Sequence, residues 1–182
     1  MNYKKYIVLL VVFLLFSSSV FAMERIDAKK NAYIHNNKGL IYLQDKYYFG
    51  AIKEFQMAIN LNPKSQAAAV YYTNLATTYE AIGYPNLALP CFEKALNLNA
   101  LSFNPYLRLA ESYKKNNVAE KKLEELRLNK TSPLDEVMIG LLFIQIGQVT
   151  TGITVLDEFA NKEPNLMLSI GVKNYIKELT KD

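Results

Sequence analysis

Small, aromatic and apolar residues return along this chain in a fixed order, and that order repeats about every 34 residues. In the stretch NNKGLIYLQDKYYFGAIKEFQMAINLNP, Gly39 is followed by Tyr42, Ala51, Phe55, Ala58 and Pro63. A constant shift of 37 residues carries the first five of these onto Ala76, Tyr79, Ala88, Phe92 and Ala95. A third copy opens with Tyr106, Leu109, Ala110 and Tyr113, which fall 34 residues after Tyr72, Leu75, Ala76 and Tyr79. Its second half, VAEKKLEELRLN, supplies Ala119, Leu123 and Leu126 in the expected small, large, large order only if about three residues are missing from the preceding turn. A fourth copy shows Gly140, Phe143, Gly147, Gly152, Leu156 and Pro164, spaced as in the first wherever both have the feature. Self-similarity at this period predicts a stack of identical supersecondary units.

The order makes sense as a pair of crossing helices. Gly39, Ala76, Ala110 and Gly140 are small where the first helix of each pair is approached, and Ala51, Ala88 and Gly152 are small on the second helix that approaches it. Tyr42, Tyr79, Tyr113 and Phe143, with Phe55, Phe92 and Leu156, fill the space beside the crossing, while Ala58 and Ala95 leave room for the next pair. Pro63 and Pro164 lack an amide donor and end their helices. One pair alone leaves an apolar face uncovered, so several must stack. The last stretch, LMLSIGVKNYIKELTKD, places Leu168, Val172, Ile176 and Leu179 at roughly helical spacing with lysines between them, which predicts an amphipathic capping helix.

These residues resemble the tetratricopeptide repeat, in which an aromatic, Leu-Gly, Tyr, Ala, Phe, Ala and Pro follow at fixed offsets. The likeness covers residues 32 to 166 and departs from the pattern at His35 and Lys38, where large apolar residues are usual. It implies an all-α fold, a right-handed superhelical solenoid of antiparallel helix pairs, with repeats at about 32–65, 69–102, 103–132 and 133–166 and a capping helix at about 167–180. It also implies a concave wall lined by the first helix of every pair, where family members commonly hold peptides or protein segments.

The outward stripe of those first helices runs through Tyr33, Asn36, Leu40 and Gln44, then Thr73, Asn74, Thr77 and Glu80, then Asn104, Arg108, Glu111 and Lys115, and last Leu134, Val137, Leu141 and Ile144. Ten of these form the expected protein-binding set: Asn36, Leu40, Asn74, Thr77, Arg108, Glu111, Leu134, Val137, Leu141 and Ile144. Family members that grip a C-terminal carboxylate use a Lys and Asn pair, a further Asn, and a Lys with an Arg across three consecutive repeats; Asn74 and Arg108 occupy matching places, but Asn36, Leu40 and Asn104 stand where the clamp has Lys, Asn and Lys. A full carboxylate clamp is therefore not expected, and Asn74 also reads as a residue that orders backbone between helices. The apolar stripe from Leu134 to Ile144 marks an interface if it is exposed and is core if the capping helix folds over it.

The chain end changes what counts as the folded protein. Lys4 and Lys5 precede an apolar run from Tyr6 to Phe16, three serines, and Val20, Phe21 and Ala22. This is the layout of a secretory signal peptide over residues 1–22. The eleven-residue apolar core, at 1.5 Å per residue, falls short of a hydrocarbon thickness of about 30 Å. An uncleaved anchor is the alternative, because Tyr6 to Ala22 gives seventeen residues without a charge. The expectation is an exported chain, periplasmic or secreted, with no membrane span after cleavage; its Asn and Lys content suggests a bacterial source with an AT-rich genome. Cleavage discards two lysines and no acid, which leaves +2 of the formal +4. That small net charge does not suggest nucleic acid or an anionic membrane as partner. The single cysteine, Cys91, excludes an intramolecular disulfide.

No reaction chemistry is legible. His35 is the only histidine and reads as a packing residue in an aromatic position. Cys91 has no evident activating base and reads as a small buried residue beside Phe92. Phosphate loops, spaced metal ligands and nucleophile elbows do not occur, and adjacent acids such as Glu124 with Glu125 point in different directions on a helix. The sequence therefore predicts no enzyme and no cofactor. It predicts a scaffold, adaptor or chaperone that holds another protein or peptide segment, or alternatively a permanent structural subunit of an envelope or secretion assembly.

Overall fold

The computed structural model describes residues 27–181, so the leader expected over residues 1–22 lies outside the described part. Every regular element described is a helix: α1 (27–44), α2 (Tyr48–Leu61), α3 (Gln66–Ala81), α4 (Pro85–Leu98), α5 (Phe103–Lys115), α6 (Ala119–Leu128), α7 (Asp135–Gln145), α8 (Val149–Lys162) and α9 (Met167–Leu179). Successive helices pair as α1 with α2, α3 with α4, α5 with α6 and α7 with α8, and the first helices α3, α5 and α7 stand side by side. No described helix is long and apolar enough to cross a membrane.

The turn inside each pair is built the same way four times. Lys46, Gly83, Asn117 and Gly147 each have positive φ, between 58° and 90°. Five residues separate donor from acceptor in the bond that closes each turn: Tyr47 N–H to Tyr42 O, Tyr84 to Tyr79, Val118 to Tyr113 and Gln148 to Phe143, at 2.8–3.0 Å. This is the left-handed C-terminal cap that satisfies the last carbonyls of a helix. The aromatic residue of each repeat is thus also the acceptor that fixes the turn.

The small residues do what their positions require. A Cβ on Gly140 would sit 2.7 Å from Leu156 and 3.1 Å from the Gly152 carbonyl, and one on Gly152 would sit 2.5 Å from the Gly140 carbonyl. The two glycines therefore let α7 and α8 touch backbone to backbone. At the first crossing the nearest neighbour is the Phe55 ring rather than Ala51, since a Cβ on Gly39 would lie 2.6 Å from it. Phe55, Phe92, Leu156 and Phe159 are fully buried, and each contributes about 1.5–3 kcal/mol by leaving water.

The third repeat is shortened at a different place from the one its sequence suggests. Its turn has the ordinary length, because α6 begins two residues after Asn117 just as α2, α4 and α8 begin two after Lys46, Gly83 and Gly147. The loss falls at the far end: α6 has 10 residues against 14 in α2, α4 and α8. Lys122 then occupies the place of Ala51 and Ala88, with its ammonium 6.0 Å from the centre of the Tyr113 ring, and Ala119 and Leu123 supply the buried side of the helix.

Two apolar clusters fill the stack. One joins α1, α2 and α3 around Phe55, Tyr71 and Leu75, and the other runs from Ala76 through Phe92, Leu109, Leu142 and Phe159 to Leu168 and Val172 of α9. Tyr79 and Cys91 border both, so the core is continuous along the stack.

Candidate functional site

The wall formed by the first helices carries the residues singled out from sequence, and the structure divides them into three groups. The first group is used internally. Asn36 is only 5% exposed, because its side-chain oxygen accepts from Asn74 Nδ2 at 2.8 Å. The pair ties α1 to α3 across the repeat boundary, so Asn36 is a packing residue and not a groove contact. Asn74 itself is half-buried and acts as the ordering residue between helices.

The second group is a charged network at the middle of the wall. Arg108 on α5 donates to Glu111 Oε2 at 2.8 Å and to Thr77 Oγ1 on α3 at 3.3 Å, and its guanidinium lies 5.6 Å from the centre of the Phe92 ring. Glu80, at the end of α3, accepts from Lys115 at 2.6 Å and lies 3.8 Å from Arg108. Charged side chains from two helices therefore hold one another in place, and Arg108 is oriented before any ligand arrives. Glu80 Oε1 is buried without a protein partner, which leaves that carboxylate with acceptor capacity unused.

The third group is the apolar stripe of α7, and here the expectation of an exposed interface fails. Val137 and Leu141 have no exposed surface, and Leu134 and Ile144 are partly buried against the same core. Six successive residues, Val137 to Leu142, are buried, so α7 is enclosed on every side. The cause is α9. It packs on α8 and continues to α5, where the Tyr175 and Phe103 rings stand 5.4 Å apart. Gly171 permits the approach, since a Cβ there would lie 2.4 Å from Phe103 Cβ. Leu168 and Val172 of α9 then close over the cluster that contains Val137 and Leu141.

What stays open is the part of the wall made by α1, α3 and α5. Tyr33 is 61%, Leu40 41% and Val70 53% exposed there, with Asn104 and Lys115 at the surface and Arg108 and Glu111 half-exposed. A small cleft of about 130 Å³ opens beside Val70, Thr73 and Asn74 toward Asn104. A wider one of about 450 Å³ lies between α5 and α9, with Phe103, Leu107, Met167, Ile170, Asn174 and Glu178 among its walls. Sequence reasoning missed this second cleft; the glycine at 171 within an apolar helix pattern was its one visible sign.

The two residues considered for chemistry are accounted for structurally. His35 Nδ1 lies 2.6 Å from Glu54 Oε2, and Lys38 donates to the other oxygen at 2.8 Å. Burial alone would raise the Glu54 carboxyl, but the hydrogen bonds and charges of His35 and Lys38 outweigh it and hold the group below its ordinary value. Burial pushes the Cys91 thiol up to about 11, so it is protonated and a weak nucleophile at neutral pH.

Residues 69–100 match the family model of the tetratricopeptide repeat. No curated protein matches the chain. Among solved structures, a tetratricopeptide repeat protein from Parabacteroides merdae is similar over 84% of this chain and 68% of its own, at 18% identity and a TM-score of 0.51. MamA protein is similar over 82% of this chain and 87% of its own, at 16% identity and a TM-score of 0.50. Helix pairs stacked through small residues, with a continuous core and no described strand, define an all-α helical-repeat solenoid. The described residues share the helical-repeat fold of these structures, and within it residues 69–100 match a tetratricopeptide repeat.

Proposed function

We propose that this protein is an exported, non-enzymatic interaction module that holds a segment of another protein along the concave wall formed by α1, α3 and α5. The observation that carries the reading is the contrast within that wall. Apolar side chains at Tyr33, Leu40 and Val70 are exposed on the first two helices, beside a charged set at Arg108, Glu111 and Lys115 that is already oriented by its own bonds. An extended segment with an apolar stretch followed by polar or charged residues matches both halves. The contact thus lies toward the N-terminal half of the wall, because the stripe that the sequence favoured is buried. The engagement of His35 with Glu54 and the raised thiol of Cys91 support a role without catalysis.

Photo-crosslinking residues placed at Leu40 and Val70 in the native envelope fraction test this reading. A discrete crosslinked protein is expected from both positions and from neither Leu128 nor Lys121, which lie on α6 at the surface. Crosslinks formed only from α6, or none from the wall, would overturn it.

A further inference from the structure

We propose that the open first end of the solenoid, the face of α1 and α2 turned away from α3, docks on an anionic lipid surface. Helical register defines that face. Asn36 points at α3, as its bond to Asn74 shows, and Ile34 and Ile41 stand about 160° and 140° round the helix from it. On α2, Ile52 and Ile59 belong to the cluster closed by α3, and Met57 lies about 140° and 160° from them. Ile34, Ile41 and Met57 are 50%, 57% and 41% exposed. Lys30 and Lys53 are exposed around them, while Lys38 beside them is exposed but paired with Glu54. In an interior repeat this face is covered by the preceding pair, and a terminal repeat ordinarily makes it polar. Here it is aliphatic, with lysines at its edge.

The distribution of charge names the partner. Residues 27–65 hold six lysines against three acids, whereas residues 66–181 hold twelve basic and twelve acidic side chains. The small net charge of the chain therefore conceals a one-ended excess. Aliphatic groups can enter the boundary between headgroups and acyl chains while lysine stems keep their ammonium groups at the level of the phosphates. A second copy of the chain fits the face less well, because pairing like faces sets lysine against lysine. The inference does not depend on what the concave wall binds, so each can fail alone.

The test uses the full chain with Cys91→Ala and an environment-sensitive fluorophore at Met57→Cys, mixed with phosphatidylcholine vesicles with or without phosphatidylglycerol. A blue shift is expected only with phosphatidylglycerol, and roughly 0.5 M salt should reverse it by screening the surface charge. Each lysine near an anionic surface raises partitioning by roughly fivefold, so Lys30→Gln with Lys53→Gln should weaken binding by about 25-fold. The same double variant, unlabelled, gives that ratio by vesicle co-sedimentation if the label disturbs packing. Three outcomes would overturn the proposal: a Met57 probe that stays in water while the leader carries the chain to vesicles, binding indifferent to charge, or burial of the probe by self-association without lipid.

Discussion

At the residue scale, the two departures from the family pattern in the first repeat have one explanation. His35 and Lys38 stand where large apolar residues are usual, and both turn to the same carboxylate, Glu54 on α2, which is 8% exposed. An apolar contact across the helix pair has been replaced by a polar one whose members satisfy each other. Because the folded carboxyl is held below its ordinary value of 4.5, its stabilisation is complete above that pH and drains away as the pH falls through the lowered folded value. Glu54→Ala should cost about 2 kcal/mol at neutral pH, since hydrogen bonds to a charged group are lost. Thermal melts from pH 7 to pH 3 should show a flatter acid decline for the variant than for the parent. A second residue-scale effect sits in the turns. Lys46 holds φ of 59° where two other repeats use glycine, and the left-handed region costs a residue with a Cβ about 1 kcal/mol. Lys46→Gly should raise the melting temperature of the protein by a few degrees, measured by circular dichroism at 222 nm.

At the element scale, α6 and α9 show how much of the architecture is legible in sequence. The helix pairs follow from periodicity alone, because Gly39, Tyr42, Ala51 and Phe55 repeat in a way that only crossing helices explain. The short third repeat is visible as a misfit, but its location is not. Lys122 in a small residue's place looks like a slipped register until the turn at Asn117 shows that the register is intact. The pattern of α9 predicts an amphipathic cap through Leu168, Val172, Ile176 and Leu179; the first two are buried and Ile176 partly so, while Leu179 at the helix end is exposed. Its reach to α5 depends on Gly171 meeting Phe103, a pairing between residues 68 positions apart that no local pattern encodes. Alanine at position 171 gains about 1 kcal/mol of helix propensity. The Phe103 Cβ is fixed to its backbone and cannot yield, so the helix must shift and overpacking should win. Gly171→Ala is therefore expected to destabilise, and faster amide exchange across α9 than across α3 would be the direct sign.

At the scale of the whole molecule, the burial of α7 reverses the consequence of one substitution. Were the stripe exposed, Leu141→Glu would remove a partner and leave the fold intact. With Leu141 fully enclosed, the carboxylate enters a core with no cation beside it, and the expected loss exceeds about 3 kcal/mol. Denaturant unfolding should show the last two repeats and α9 melting early, since repeat stacks are held by neighbouring contacts. A variant at Leu40, which is 41% exposed, should by contrast leave the unfolding curve unchanged.

The sequence by itself determined the class of element, the repeat and the crossing points, because each rests on residues within about 40 positions of one another and on side-chain volumes that recur. It also singled out the stripe of first-helix residues that forms one wall of the stack. Which part of that wall is open was decided only by tertiary structure. An outward stripe on α7 becomes core when its neighbours and the helix at the chain's end join one cluster, and hydropathy cannot tell an apolar surface awaiting a partner from one covered by the same chain. The exposed end of the first repeat is the complementary case: its lysines vanish in the net charge and its isoleucines in the helical pattern until the fold sets them on one face.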